Sequence, residues 1–208
     1  MSGIRSELRE YVEAEIIPRY RGFDKAHQED HVRMVIRQAL ELGERLGANI
    51  EMLYIAAAYH DTGLVEGRER HHLVSGSIIR ADKLLREWFA EEEIELIAEA
   101  AEDHRASSDH EPRSLYGRII AEADRFIDAD TIVRRTVQYS LTHYPELNHE
   151  GHMERCVSHL KEKYGDGGYL KLWIPDSPNA QRLEKLRVII RNESRLREVV
   201  ESILIEEA

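Results

Sequence analysis

The sequence predicts an all-α fold, a bundle of helices of unequal length, and three observations carry that prediction. Apolar residues recur at helical spacing through most of the chain. No segment shows the apolar–polar alternation of a half-buried strand, and there is no internal repeat or low-complexity tract. The stretch Ile50 to Tyr59 is apolar on nearly every side, which marks a central, enclosed helix for others to pack around.

The elements follow in order. Ile4, Leu8, Tyr11, Val12 and Ile16 form a first stripe that closes near Pro18. Val32, Val35, Ile36, Ala39, Leu40 and Leu46 form a second, with Gly47 as its stop. Gly63 and Gly67 break the chain after the central helix. One helix is predicted from about His71 to Phe89 and another from Glu91 to about Asp103, where the run Glu91-Glu92-Glu93 suits a solvated helix start. Residues 105–113 read as a polar loop containing Pro112. Leu115 to Val137 is helical again, bent or interrupted near Asp128–Asp130, and the segment from Pro145 to Tyr164 is a further helix. Gly165 to Asn179 is irregular, but its Tyr169, Leu170, Leu172, Trp173 and Ile174 are too apolar for a free linker, so it is expected to pack back onto the body. The last helix runs from about Ala180 to Ile205. The expected organisation is an N-terminal helix over 1–24 packed on a core of 25–135, with 136–208 a helical extension of the same globular unit.

A chain of 208 residues fits one large domain or a domain with an appendage. The net charge of −11 argues against a nucleic-acid duplex as partner, because phosphate backbones are held by cationic surface. It leaves a small phosphorylated substrate open, since a bound metal reverses the local potential. The single cysteine, Cys156, excludes an internal disulfide and suits a reducing compartment. No apolar run is long enough to span a membrane, and Met1 to Glu13 carries no export pattern. A soluble, cytoplasmic protein is expected, with no membrane partner and its oligomeric state open.

The chemistry concentrates in His31, the adjacent pair His60-Asp61, and Asp124. Each interrupts an otherwise apolar, helix-patterned segment. Imidazole and carboxylate are costly to bury without partners, so three such interruptions are most economically explained if they meet around a cation. The donors suit zinc, manganese, iron, cobalt or nickel, and magnesium remains a candidate. A polar network that needs no metal is the plainer alternative.

In order and context, these residues resemble the HD-domain superfamily of metal-dependent phosphohydrolases. The supporting text is His60-Asp61-Thr62-Gly63 at the pair, His72 with Gly76 four residues later, His104 ending a helix, and Ala123-Asp124-Arg125-Phe126-Ile127-Asp128 at the last position. The resemblance covers roughly residues 25–135. It implies an HD-domain-like helical bundle with an accessory C-terminal helical part, a divalent ion on His31, His60, Asp61 and Asp124, and catalytic roles for Asp61 and Asp124 through a metal-activated water. The sequence departs from many members in carrying Met34 three residues after the first histidine, where arginine is common, and Leu64 three residues after the aspartate of the pair, where lysine is common.

For His72 and His104, the resemblance leaves two roles. They line the substrate side of a single ion, the preferred reading, or they hold a second ion bridged by Asp61. Arg68 is the best local candidate to hold a substrate phosphate, because guanidinium pairs its donors with anionic oxygens, with Arg70 beside it. His71 is expected to face solvent, since its neighbour His72 points elsewhere. His27 reads as a structural neighbour of the site, and Asp128 as an orienting group or a helix cap. His143, His149, His152 and His159 read as exposed, and Trp173 with Tyr169 as packing. The function expected is hydrolysis of a phosphomonoester or phosphodiester, nucleotides included. The alternatives are a di-iron oxygenase using His72 and His104 and a non-catalytic regulatory module.

Overall fold

The computed structural model describes residues 3–24, 27–105, 110–125 and 127–207. Among these residues the structure is helical with no strand. The chain divides into two compact units, Met1–Arg125 and Phe126–Ala208. Part of the expected polar loop (106–109) and Phe126 lie outside the described residues.

The first unit opens with α1 (Ser6–Tyr11), which passes into a wider π turn over Val12–Ile16 and a 3₁₀ turn over Ile17–Gly22. Pro18, at the start of that 3₁₀ turn, lacks an N–H and suits a first-turn position. α2 (Glu29–Leu46) buries Val32, Val35, Ile36, Ala39 and Leu40 on one face. It ends at Gly47, whose left-handed backbone (φ 68°) a side chain would strain. α3 (Ile50–Tyr59) is capped by the Asn49 carboxamide, which accepts from the Glu51 N–H (3.0 Å), and is buried from Met52 to Tyr59. This is the enclosed central helix that the apolar run predicts. A 3₁₀ turn (Thr62–Glu66) follows, then α4 (His71–Ala81), α5 (Glu91–Glu102) and α6 (Leu115–Ala123), the last capped by the Ser114 hydroxyl.

The helix expected from His71 to Phe89 stops at Ala81. The Asp82 carboxylate accepts from the Leu84 N–H (3.0 Å) and from the Tyr59 hydroxyl (2.6 Å), and the Tyr11 hydroxyl donates to it as well. Its extended backbone (ψ 105°) ends the helix, and a 3₁₀ turn over Lys83–Glu87 takes the chain onward.

The second unit holds α7 (Ala129–His143), α8 (His149–Tyr164), α9 (Pro178–Arg191) and α10 (Glu193–Glu207). The interruption expected near Asp128 is present, because the Asp128 carboxylate caps α7 by accepting from the Thr131 N–H (2.9 Å). Of the two sequence readings for this residue, the structure takes the cap. The single last helix is two helices, parted at Asn192, whose side chain accepts from the Arg195 N–H (3.0 Å). In the glycine-rich segment Leu170 and Ile174 are buried while Tyr169 stays half exposed. His143 and His149 are exposed as expected, but His152 is buried against the Ser140 hydroxyl (2.8 Å).

Candidate metal centre

The centre is assembled at the ends of helices in the first unit. His60 follows the last residue of α3, and its ring Nδ1 lies 2.7 Å from the Ala57 carbonyl. A carbonyl only accepts, so Nδ1 carries the proton and Nε2 points into the site as a free donor atom or a second N–H. Asp61 leaves helical geometry (φ −107°, ψ 4°). That departure frees the adjacent side chains from the divergence of about 100° that a continuing helix would impose. Asp61 Oδ2 then lies 3.2 Å from His60 Nε2.

Two groups of donor atoms result, one of His31, His60 and Asp124, the other of Asp61, His71 and His104. In the first, His31 Nε2 is 3.2 Å from His60 Nε2 and 3.2 Å from Asp124 Oδ1, and His60 Nε2 is 3.6 Å from Asp124 Oδ1. In the second, His71 Nε2 and His104 Nε2 are 3.1 Å apart and each is 3.4 Å from Asp61 Oδ1. The Asp61 carboxylate joins the groups, since its Oδ2 also lies 3.4 Å from His31 Nε2.

The separations test whether a metal fits. Ligand atoms at about 2.0–2.2 Å from one ion stand about 3.0–3.5 Å apart when they occupy neighbouring coordination positions. The observed spacings fall in that range, with His60 to Asp124 at 3.6 Å just beyond it. The rings of His71 and His104 also have Nδ1 on carbonyls, those of Arg68 (2.7 Å) and Ala101 (2.5 Å). Rings so anchored turn their Nε2 atoms toward each other, the face that a shared cation would bind.

The electrostatics agree. Burial disfavours a charged His60 ring, but the Asp61 and Asp124 carboxylates outweigh it and raise its pKa well above the ordinary histidine value. His31 is raised for the same reasons, burial opposing and Asp124 with Asp61 prevailing. Burial alone would raise the two carboxylates, yet the surrounding imidazoles hold both Asp61 and Asp124 well below the usual range. The carboxylates are therefore ionised and call for positive charge, which protons or a metal ion can supply.

Neighbouring residues brace the centre. The Tyr20 hydroxyl donates to the Ala58 carbonyl (2.9 Å) and accepts from the Asp61 N–H (3.3 Å), tying the N-terminal 3₁₀ turn to the His60-Asp61 step. Gly63 donates its N–H to the Ser75 hydroxyl (2.9 Å). A Cβ on Gly63 would overlap the His71 carbonyl and sit 2.6 Å from the Ser75 nitrogen, so only glycine allows α4 to come this close. Gly76 plays a similar part against α5, where a Cβ would stand 2.7 Å from Glu102 Cγ.

The sequence-predicted residues are placed as follows. His31, His60, Asp61, Asp124 and His104 converge. His72 does not join either group, and its neighbour His71, expected to face solvent, does so with only 13% of its side chain exposed. α4 starts at His71, and this phase turns His71 inward. His72 is half-buried beside it, ring centroids 5.6 Å apart, with Nδ1 buried and without a hydrogen-bond partner. Burial first, then the charges of His104 and Arg105, push His72 down to about 4. Arg68 is largely exposed, its guanidinium 3.4 Å from His27 Nε2 and 3.8 Å from Asp24 Oδ2. His27 donates from Nδ1 to the Asp24 carboxylate (2.8 Å) and packs edge-on to His31 at 5.6 Å between centroids. Arg33 is bound to Glu13 through two hydrogen bonds of 2.9 and 2.8 Å. Sequence reasoning missed Tyr20 and misjudged His71. Tyr20 gave no signal beyond being an aromatic near Pro18.

The family model described as HD domain matches residues 29–128. Among solved structures, the chain is similar to one described as a predicted HD superfamily hydrolase from an uncultured Thermotogales bacterium, with a TM-score of 0.53 and 23% identity over 76% of this chain and 87% of that one. At that identity the likeness shows the fold. No curated protein matches the chain.

Proposed function

We propose that the chain, whose residues 29–128 match the HD-domain model, hydrolyses a phosphomonoester or phosphodiester, nucleotides among the candidates, with divalent metal. One observation carries the reading: the single Asp61 carboxylate stands between two donor groups whose spacings suit metal coordination. His31, His60, Asp61 and Asp124 would hold one ion, and His71 with His104 and the other Asp61 oxygen a second. When bound, such ions acidify water to near-neutral pH and polarise a phosphoryl group.

The protein's own groups do the rest. Asp124 is 23% exposed and Asp61 only 4%. Asp124 is thus the carboxylate that solvent reaches, and it is the better placed of the two to take a proton from an attacking water. Arg68, beside the His27–His31 edge, supplies a guanidinium at the solvent side for a substrate phosphate. His72, neutral at physiological pH, offers an unpartnered ring nitrogen next to the second group.

The test is turnover of a phosphoester panel by metal-reconstituted protein, with metal content measured in parallel. Hydrolysis of at least one ester with two ions per chain supports the reading. Bound metal with no turnover on any member argues against it. The di-iron oxygenase reading calls for His72 and His104; His71 stands in the second donor group in place of His72, and with that exchange the reading predicts instead turnover that depends on dioxygen.

A further inference from the structure

In the second unit α7 and α8 form a helical hairpin whose contacts fix its register. His152 faces Ser140 (2.8 Å), the Cys156 thiol faces the Thr136 carbonyl (3.8 Å), and the Arg155 guanidinium lies over the Tyr139 ring at 5.1 Å. The chain therefore runs in opposite directions along the two helices. Residues spaced by four share a helix face. The stripe Thr131, Arg135, Tyr139 on α7 meets the stripe Arg155, His159, Lys163 on α8.

A cavity of about 450 Å³ opens along these stripes, a volume typical of small-molecule sites. Its charged lining is Arg135, Arg155 and Lys163, with His159 between them, and no carboxylate belongs to it among the described residues. This is unexpected in a chain of net charge −11. The adjacent Arg134 shows the contrast, being paired with Glu206 and Glu207 at 2.7 Å each. Arg135 and Arg155 form no ion pair among the described residues. Arg155 is instead packed on Tyr144 (4.3 Å to the ring centroid) as well as Tyr139, and its Nη1 is buried without a hydrogen-bond partner. Burial, then the charges of Lys163 and Arg155, keep the His159 pKa below its ordinary value, against a smaller opposing pull from Glu162. Arg135 and Arg155 are like charges set along one cavity without an ion-pair partner, and a bound anion removes the cost of their repulsion.

We propose that this cavity is a binding site for a small phosphorylated ligand carrying two or more negative charges. Two guanidinium groups present paired donors suited to phosphate oxygens, and the Lys163 side chain lines the same space. The volume exceeds that of a single phosphate and accommodates a diphosphate. The site uses none of the residues of the metal centre and stands independently of the hydrolytic reading.

The experiment is isothermal titration calorimetry of the full chain, stripped of metal by chelation and desalted, with inorganic pyrophosphate as the probe. Saturable binding is expected, weakened about tenfold in Arg135→Gln and similarly in Lys163→Gln. Arg135 is exposed, so its replacement spares the packing, and an unchanged thermal midpoint without ligand confirms that. His31→Ala is expected to keep full binding. Absence of binding at millimolar pyrophosphate, equal binding by both cavity variants and the parent, or loss of binding in His31→Ala overturns the proposal.

Discussion

In the first unit imidazoles and carboxylates alternate within about 3.5 Å of one another, so each group is partly neutralised by the next. In the cavity between α7 and α8, three cations face one space with no acid among them. Both are clusters of ionisable groups in clefts, yet they call for opposite ligands. The His–Asp centre holds ionised carboxylates that need a cation, and the cavity holds two guanidinium groups without an ion-pair partner, which suit an anion. Composition alone hides the difference, because the net charge describes neither place.

The largest expected effect comes from the residue on which the first region turns. Asp61→Asn should remove the oxygen charge shared by both donor groups, lower bound metal toward zero by elemental analysis and cut turnover at least about a hundredfold. Pyrophosphate binding in the second unit should be untouched. A variant that keeps two ions would break the contrast as drawn.

Next is the adjacent pair. His71→Ala should lose one ion per chain and most activity, whereas His72→Ala should keep both ions and change mainly KM. If metal content falls in His72→Ala instead, the assignment of His71 is wrong.

Acid should then move the two regions in opposite directions. His31 and His60 hold protons more tightly than ordinary histidines when metal-free, so protons compete with metal as pH falls through and above the usual histidine range. Metal affinity should therefore weaken on acidification. His159 is held below its ordinary value by burial, Lys163 and Arg155, and protonating it adds a fourth positive charge to the cavity. Affinity for sulfate, whose charge is constant over this range, should rise severalfold as pH falls below the usual histidine range. Parallel titrations at several pH values check both signs.

The smallest effect is expected at Tyr20→Phe. It removes the hydroxyl that bridges Ala58 and Asp61 and should cost about 1 kcal/mol in denaturant unfolding, with metal affinity slightly reduced.

Much of the first region was legible because burying an imidazole or carboxylate in an apolar stripe is expensive. His31, His60, Asp61 and Asp124 stand out against such stripes. His71 and His72 could not be told apart because neighbours on a helix differ by about 100°, and only the starting point of α4 sets which turns inward. The end of α4 was hidden for another reason. Asp82 stops the helix with help from Tyr11 and Tyr59, partners distant in sequence. The cationic cavity left a trace in the four-residue spacing of Arg155, His159 and Lys163, but an isolated stripe of that kind reads as a solvated face. Only the facing Arg135 gives it meaning, and that pairing depends on the hairpin register.

The rings of His60 and His104 each rest on the carbonyl three residues earlier, at the point where α3 and α5 run out. Such oxygens are spare only because the helix ends there. One more turn on either helix would claim them for the backbone and release the imidazole to spin. The stopping points of these helices thus act as tuning pegs for the donor atoms, and insertions there should detune the protein without touching a single coordinating residue.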